Sequence, residues 1–169
     1  MQRRNLLFVS ALALVGLLVG CSSGSSAGTL LTNLPTAAQL RAVPLSLGVS
    51  GKTLMGETYV WRDLMPSIVN PGEPAPKRGI IVSCTVKATG SAAVPAGLRA
   101  EKITITNGEE VWASTEVEAR SDEGSFGGIV RNGPEWPVGS SLDVVVTFRD
   151  STAGSYELRA VGQVVGGAY

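Results

Sequence analysis

The stretch Ile103-Thr104-Ile105-Thr106-Asn107-Gly108-Glu109-Glu110-Val111-Trp112-Ala113-Ser114 decides the fold class. Asn107-Gly108 separates two alternating runs, Leu98 to Thr106 and Glu110 to Ala119. Both residues tolerate the positive φ that a tight turn between right-twisted strands demands, so the pair is a strong hairpin signal.

Reading outward, the same alternation recurs. In Gly79 to Ala88, Ile80, Val82, Cys84 and Val86 fall on one face, and Ile81, Ser83, Thr85 and Lys87 on the other. Leu45 to Val49 and Leu54 to Trp61 precede it, and a proline-rich link, Pro66 to Arg78, joins them to it. Downstream, Gly124 to Val130 reads as a weaker, glycine-rich edge strand. A turn-rich link, Arg131 to Gly139, leads to Leu142 to Arg149, where Leu142, Val144, Val146 and Phe148 share a side. After the loop Asp150 to Gly154, Ser155 to Val165 closes the series, with Tyr156, Leu158 and Ala160 on one face. About eight strands without a long helix predict an all-β, antiparallel sandwich whose sheets have one packed and one wet face. A closed barrel is the alternative architecture.

The N-terminus carries a different signal. Arg3 and Arg4 precede an apolar run, Leu6 to Leu18, that ends in Leu18-Val19-Gly20-Cys21. A charged start, a short apolar stretch and a small residue before the cut form the layout of a secretory signal. The run is shorter than the roughly 20 apolar residues a bilayer span needs. Leu18-Val19-Gly20-Cys21 resembles the lipobox of bacterial lipoproteins. In that family the cysteine sulfur receives a diacylglycerol, the preceding peptide is removed, and the new amine takes an acyl chain such as palmitate. The resemblance implies that Cys21 is the lipidation site and that the mature chain is held on a bacterial membrane. Ser22, in place of the Asp of sorted inner-membrane lipoproteins, favours the outer membrane of the cell envelope and leaves the periplasmic and surface sides open. Gln2-Arg3-Arg4-Asn5-Leu6-Leu7 lacks the Ser or Thr that precedes the pair in twin-arginine signals. The expected organisation is a leader (1–20), a Ser/Gly-rich tether (21–42) and a sandwich domain (43–169). Within the tether, residues 36–41 read equally as a short helix or as loop. The last two strands, after Trp136-Pro137-Val138-Gly139, resemble the closing hairpin of immunoglobulin-like domains, a likeness of fold that transfers no function.

Composition excludes several chemistries. Without the leader, 149 residues remain, enough for one domain with its own core. Arg3 and Arg4 leave with the leader, so 12 basic residues face 14 acidic ones. With no basic patch, nucleic acid is not an expected partner. The chain has no histidine. That removes Ser-His-Asp and Cys-His nucleophile pairs and His-ligated metals. No glycine-rich phosphate loop lies in a strand-turn-helix setting. No cofactor and no metal are expected, and the chain is not expected to be an enzyme.

Few residues remain as site candidates. Cys84 shares the parity of Ile80, Val82 and Val86, so core packing is its expected role. Glu116 and Glu118, read on one strand with Trp112 and Ser114, make a solvated face opposite Val111, Ala113, Thr115 and Val117. The aromatic residues are few, and Trp61, Trp112 and Trp136, together with Arg62, are the possible partner-binding residues. Trp136, between Pro134 and Pro137, also suits packing over a sandwich end. The first expectation is a non-catalytic interaction module that binds another envelope protein or a polymer. A ligand carrier or protease inhibitor using loops 66–78 and 131–139 is the second. A glycan-cleaving enzyme built on Glu109, Glu110, Glu116 and Glu118 is the third, requiring two carboxylates about 5–9.5 Å apart in a cleft.

Overall fold

The computed structural model of the chain describes residues 33–66, 72, 78–90, 92–150 and 154–169. The leader, Cys21 and the tether as far as residue 32 lie outside the described residues, as do most of the proline-rich link and residues 151–153 of the last hairpin loop.

Among the described residues one short helix, α1 (Ala37–Arg41), precedes ten strands. They are β1 (Ser46–Val49), β2 (Lys52–Asp63), β3 (Ile80–Ala88), β4 (Arg99–Asn107), β5 (Glu110–Ser114), β6 (Glu118–Asp122), β7 (Ser125–Val130), β8 (Ser141–Arg149), β9 (Ser155–Val164) and β10 (Gly166–Ala168). The first sheet runs β1-β2-β3-β7-β6, with β10 also on β2, and the second runs β5-β4-β8-β9. Every pairing is antiparallel except that of β10 with β2. With β2 as strand A, the two sheets read A-B-E-D and C′-C-F-G, the immunoglobulin arrangement.

The alternation read from residues 79–88 sets the core. Ile80, Val82, Cys84, Val86 and Ala88 of β3 are buried and meet Ile103 and Ile105 of β4 and Val144, Val146 and Phe148 of β8. Each large aliphatic or aromatic side chain taken out of water contributes about 1.5–3 kcal/mol. Phe148 lies edge-on to Phe126 (centroids 5.1 Å apart) and stacks on Tyr156 (5.5 Å).

Ten strands stand where about eight were expected. β10 is one addition. The other arises because Glu110 to Ala119 is not one strand. The chain leaves the second sheet at Ser114, turns with the Glu116 amide donating to Ser114 Oγ (3.1 Å), and enters the first sheet at Glu118. The crossing resets the parity. Trp112 stands opposite Ile105, which is fully buried, and so packs against the core rather than on a wet face with Glu118. Nothing in Ser114-Thr115-Glu116 marks the break, because neither Gly nor Pro stands there.

β7 is central rather than an edge strand. It pairs with β3 on one side and β6 on the other, and all six of its residues are buried. Its glycines mark close approach. A methyl group at Gly127 would overlap the Cys84 carbonyl oxygen, and one at Gly128 would overlap Val117 Cγ1.

Of the two readings of residues 36–41, the helix is the one formed. Gln39 N donates to Thr36 Oγ1 (3.2 Å) and Thr36 N donates to Gln39 Oε1 (2.8 Å), a reciprocal capping box. Ala37 and Leu40 are each only 2% exposed. The Arg41 guanidinium donates to Gly108 O (2.6 Å) and to the Glu109 carboxylate (3.1 Å) in the β4–β5 hairpin. Arg159 of β9 donates through Nε to Val43 O (3.1 Å) and through its amide to Pro44 O (2.9 Å). Residues 33–45 thus form a strap from that hairpin to β9. It runs over the outer face of the second sheet, where Thr104, Thr106 and Val145 are buried although they point away from the core.

Both segments that flank the sandwich then change sheets at the same edge. After Pro44 on β9, the chain enters β1 on β2. After β9, Val165 donates to Ser140 O (3.0 Å) and accepts from the Gly139 amide (2.9 Å), and the chain enters β10 on β2. The edge between β2 and β9 is therefore bridged twice.

Candidate partner-binding surface

Trp61 and Arg62 are neighbours in sequence but occupy opposite faces of β2, because strand side chains alternate. Arg62 points inward beside Ile80 at one end of the sandwich. Its Nε donates to Arg78 O (2.9 Å), and its Nη1 reaches the carbonyl oxygens of Glu135 and Trp136 (3.4 Å each). One guanidinium thereby joins β2 to Arg78, at the end of the first long link, and to Glu135 and Trp136, in the middle of the second.

Trp136 is 9% exposed and belongs to the core. Its indole N–H donates to Glu110 Oε2 at 2.6 Å, satisfying the one polar atom of a buried ring. Glu110 and Trp112 share the inward face of β5, two residues apart, and Trp112 is half-buried against the core. Arg62, Trp112 and Trp136 are thus engaged in closing this end of the sandwich, and little of Trp136 is left for a partner.

Trp61 is placed differently. It lies on the outer face of the first sheet and stacks with Tyr59, ring centroids 5.1 Å apart and planes at 30°. Tyr59 is 65% exposed. The sequence reading passed over Tyr59. The signal was present, since two aromatic residues two apart on one strand share a face. Beside them the floor of the outer face is made of small hydroxyl residues, Ser83 and Thr85 of β3. Glu57 and Lys87 pair across β2 and β3 (2.6 Å), and Glu118 and Arg131 pair farther on (3.6 Å). Such exposed pairs contribute at most about 1 kcal/mol each. They balance in sign, so the face carries no single-signed field.

The reactive residue types are dispersed. Cys84 is buried beneath this sheet, and burial pushes its thiol up from 9.0 to about 12, so it is protonated and unreactive at neutral pH. Glu109 is paired with Arg41, Glu110 accepts from Trp136, and Glu118 is paired with Arg131. Glu110 and Glu118 also belong to different sheets. Among the described residues, no three of Cys, Asp and Glu are grouped so as to hold a metal ion. Among them, too, no helix is long and apolar enough to cross a membrane.

Comparison with protein-family models, with curated proteins and with solved structures returns no match for this chain.

Proposed function

We propose that the chain is a bacterial envelope lipoprotein, anchored through acylated Cys21, whose sandwich is a non-catalytic interaction module. The observation that carries this reading is Leu18-Val19-Gly20-Cys21, which resembles a lipobox, sixteen residues ahead of α1 and twenty-five ahead of the first strand of a β-sandwich. That spacing suits a module held close to a membrane and working by contact. The stacked Tyr59–Trp61 pair on an outer sheet face supplies the kind of exposed aromatic surface that contact sites use. Another envelope protein or an envelope polymer is the expected partner, and the outer membrane is the favoured destination. Two or three acyl chains hold a protein on a bilayer for long periods, since each buried CH₂ contributes about 0.8 kcal/mol.

Mass spectrometry of the membrane fraction tests the anchor. The mature chain should begin at Cys21 with acyl groups on it, and Cys21→Ala should move the protein out of that fraction. An unmodified sulfur in a chain that starts elsewhere would overturn the assignment. Envelope cross-linking then tests the module: a specific partner should be captured by the wild-type chain and lost with Tyr59→Ala plus Trp61→Ala.

One observation favours a second reading. Arg62 holds Arg78, at the end of link 66–78, beside Glu135 and Trp136 of link 131–139 at one end of the sandwich, as a ligand carrier or protease inhibitor with a loop-built contact edge would require. Under that reading, binding or inhibition survives the Tyr59/Trp61 substitutions and falls when either link is replaced.

A further inference from the structure

Strand register fixes which side chains share the outward face of the first sheet. Tyr59 stands opposite Ser83, and Ser83 opposite Ile129. In the next row Glu57 stands opposite Thr85, Thr85 opposite Gly127, and Gly127 opposite Arg120. Paired residues project to the same side of a sheet, and neighbouring strands lie about 4.8 Å apart, so the two rows form one continuous surface. Trp61 extends it through its stack on Tyr59. The surface is open beside both features. Gly127 sets no side chain next to Thr85, and Gly166 sets none next to the rings, where a Cβ would stand 3.7 Å from Tyr59 Oη. Ser83 and Thr85 are half-buried. The hydroxyls of Tyr59, Ser83 and Thr85, the Trp61 indole N–H and the Arg120 guanidinium have no hydrogen-bond partner among the described residues.

We propose that this face binds a linear, uncharged glycan chain, one sugar ring lying on Tyr59–Trp61 and the next reaching across Ser83 and Thr85 toward Arg120. The inference rests on the contact-module reading above and deepens it by naming the polymer; it does not require the lipid anchor. Two features choose the occupant. The first is charge. Glu57 is held by Lys87 (2.6 Å) and Glu118 by Arg131 (3.6 Å), while Arg120 and Asp122 of β6 offset each other in sign. The face therefore lacks the single-signed field that would draw a polyanion or a strongly charged protein. The second is the mixture of groups. A pyranose ring has apolar, slightly electropositive C–H faces and a rim of hydroxyls that both donate and accept. The C–H face suits the negative face of an aromatic ring. The rim suits free hydroxyls, which donate and accept, and a guanidinium fork, which donates. A protein hot spot needs instead a desolvated apolar centre. Here, apart from half-buried Ile81 opposite Trp61, the β3 groups beside the rings carry hydroxyls.

The test titrates the full chain, purified in detergent, with chitohexaose, cellohexaose and maltohexaose, and with heparin as a polyanion, by calorimetry. At least one uncharged hexasaccharide should bind, with an affinity that added salt leaves unchanged. Tyr59→Ala should weaken that binding about tenfold or more, and Ser83→Ala with Thr85→Ala about fivefold or more, whereas Tyr59→Phe should stay within about threefold of wild type. Arg120→Ala, at an exposed position, should weaken it about threefold. Ser121→Ala, whose row faces the other side of β6, should bind as wild type. Urea midpoints show that each variant is folded, and Tyr59 is 65% exposed, so its loss leaves the core intact. Binding of heparin alone, or hexasaccharide binding that every one of these variants retains, would overturn the proposal. Silence of the folded wild type toward all three hexasaccharides would overturn it too, and envelope cross-linking then separates the two readings. Capture of a protein that is lost with Tyr59→Ala plus Trp61→Ala would leave the contact module standing without its glycan. Capture of nothing would remove both.

Discussion

At position 127 a single methyl group decides whether β3 and β7 can pair. The Cβ of any other residue would overlap the Cys84 carbonyl oxygen, so Gly127→Ala should cost about 3 kcal/mol, read as a lowered urea midpoint. Gly48 of β1 is the contrast: nothing lies within 4 Å of an added Cβ, and Gly48→Ala should leave stability unchanged or raise it by up to about 1 kcal/mol. Cys84 itself carries a pH signature. Its thiol is held up to about 12 by burial, whereas in the unfolded chain it ionises near its ordinary 9.0. Folding therefore favours the protonated form. The contribution is complete below about pH 9 and is lost as pH rises toward 12. The stability advantage of the wild type over Cys84→Ala should shrink steadily across that window in urea titrations at a series of pH values. The burial of Cys84 was legible from the unbroken alternation of residues 79–88. The placement of Trp112 was not, because alternation extrapolates only while a strand stays in one sheet.

At the scale of elements, two contacts outside the sheet ladders hold pieces that sequence patterns could not join. Trp136 and Glu110 tie the link before β8 to the start of β5 through a 2.6 Å hydrogen bond. A double-mutant cycle of Trp136→Phe and Glu110→Gln should return a coupling of about 1.5–3 kcal/mol, the range for a bond to a charged group. The strap depends on burial more than on charge. Leu40→Ala should cost about 2–4 kcal/mol, since Leu40 is 2% exposed. Arg41→Ala, which removes an exposed ion pair with Glu109, should cost under about 1 kcal/mol. Equal losses for the two variants would mean that the strap is held electrostatically. The helix, with Thr36 near its start, was one of two readings that the sequence left open. Its packing was hidden, because five helical residues flanked by Ser, Gly and Pro read equally as tether.

For the whole molecule, the bridged edge has a measurable consequence. The Arg159 amide is bonded to Pro44 O (2.9 Å) and the Val165 amide to Ser140 O (3.0 Å), both outside the sheet ladders. Hydrogen exchange at both should be as slow as in β3 and β8 if the strap and the β9–β10 crossover open only with the global fold. Fast exchange at Arg159 alone would show the strap peeling off by itself. Alternating residues, Asn107-Gly108 and the Pro/Gly punctuation were enough to reveal an antiparallel sandwich, since these are local signals that the backbone obeys wherever a strand lies. Two features escaped that reading: the crossing at Ser114 and the central place of β7. Each depends on which strand lies beside which, a relation between residues far apart in the chain. That relation is set by the packing of two sheets around a shared core, and no local pattern encodes it.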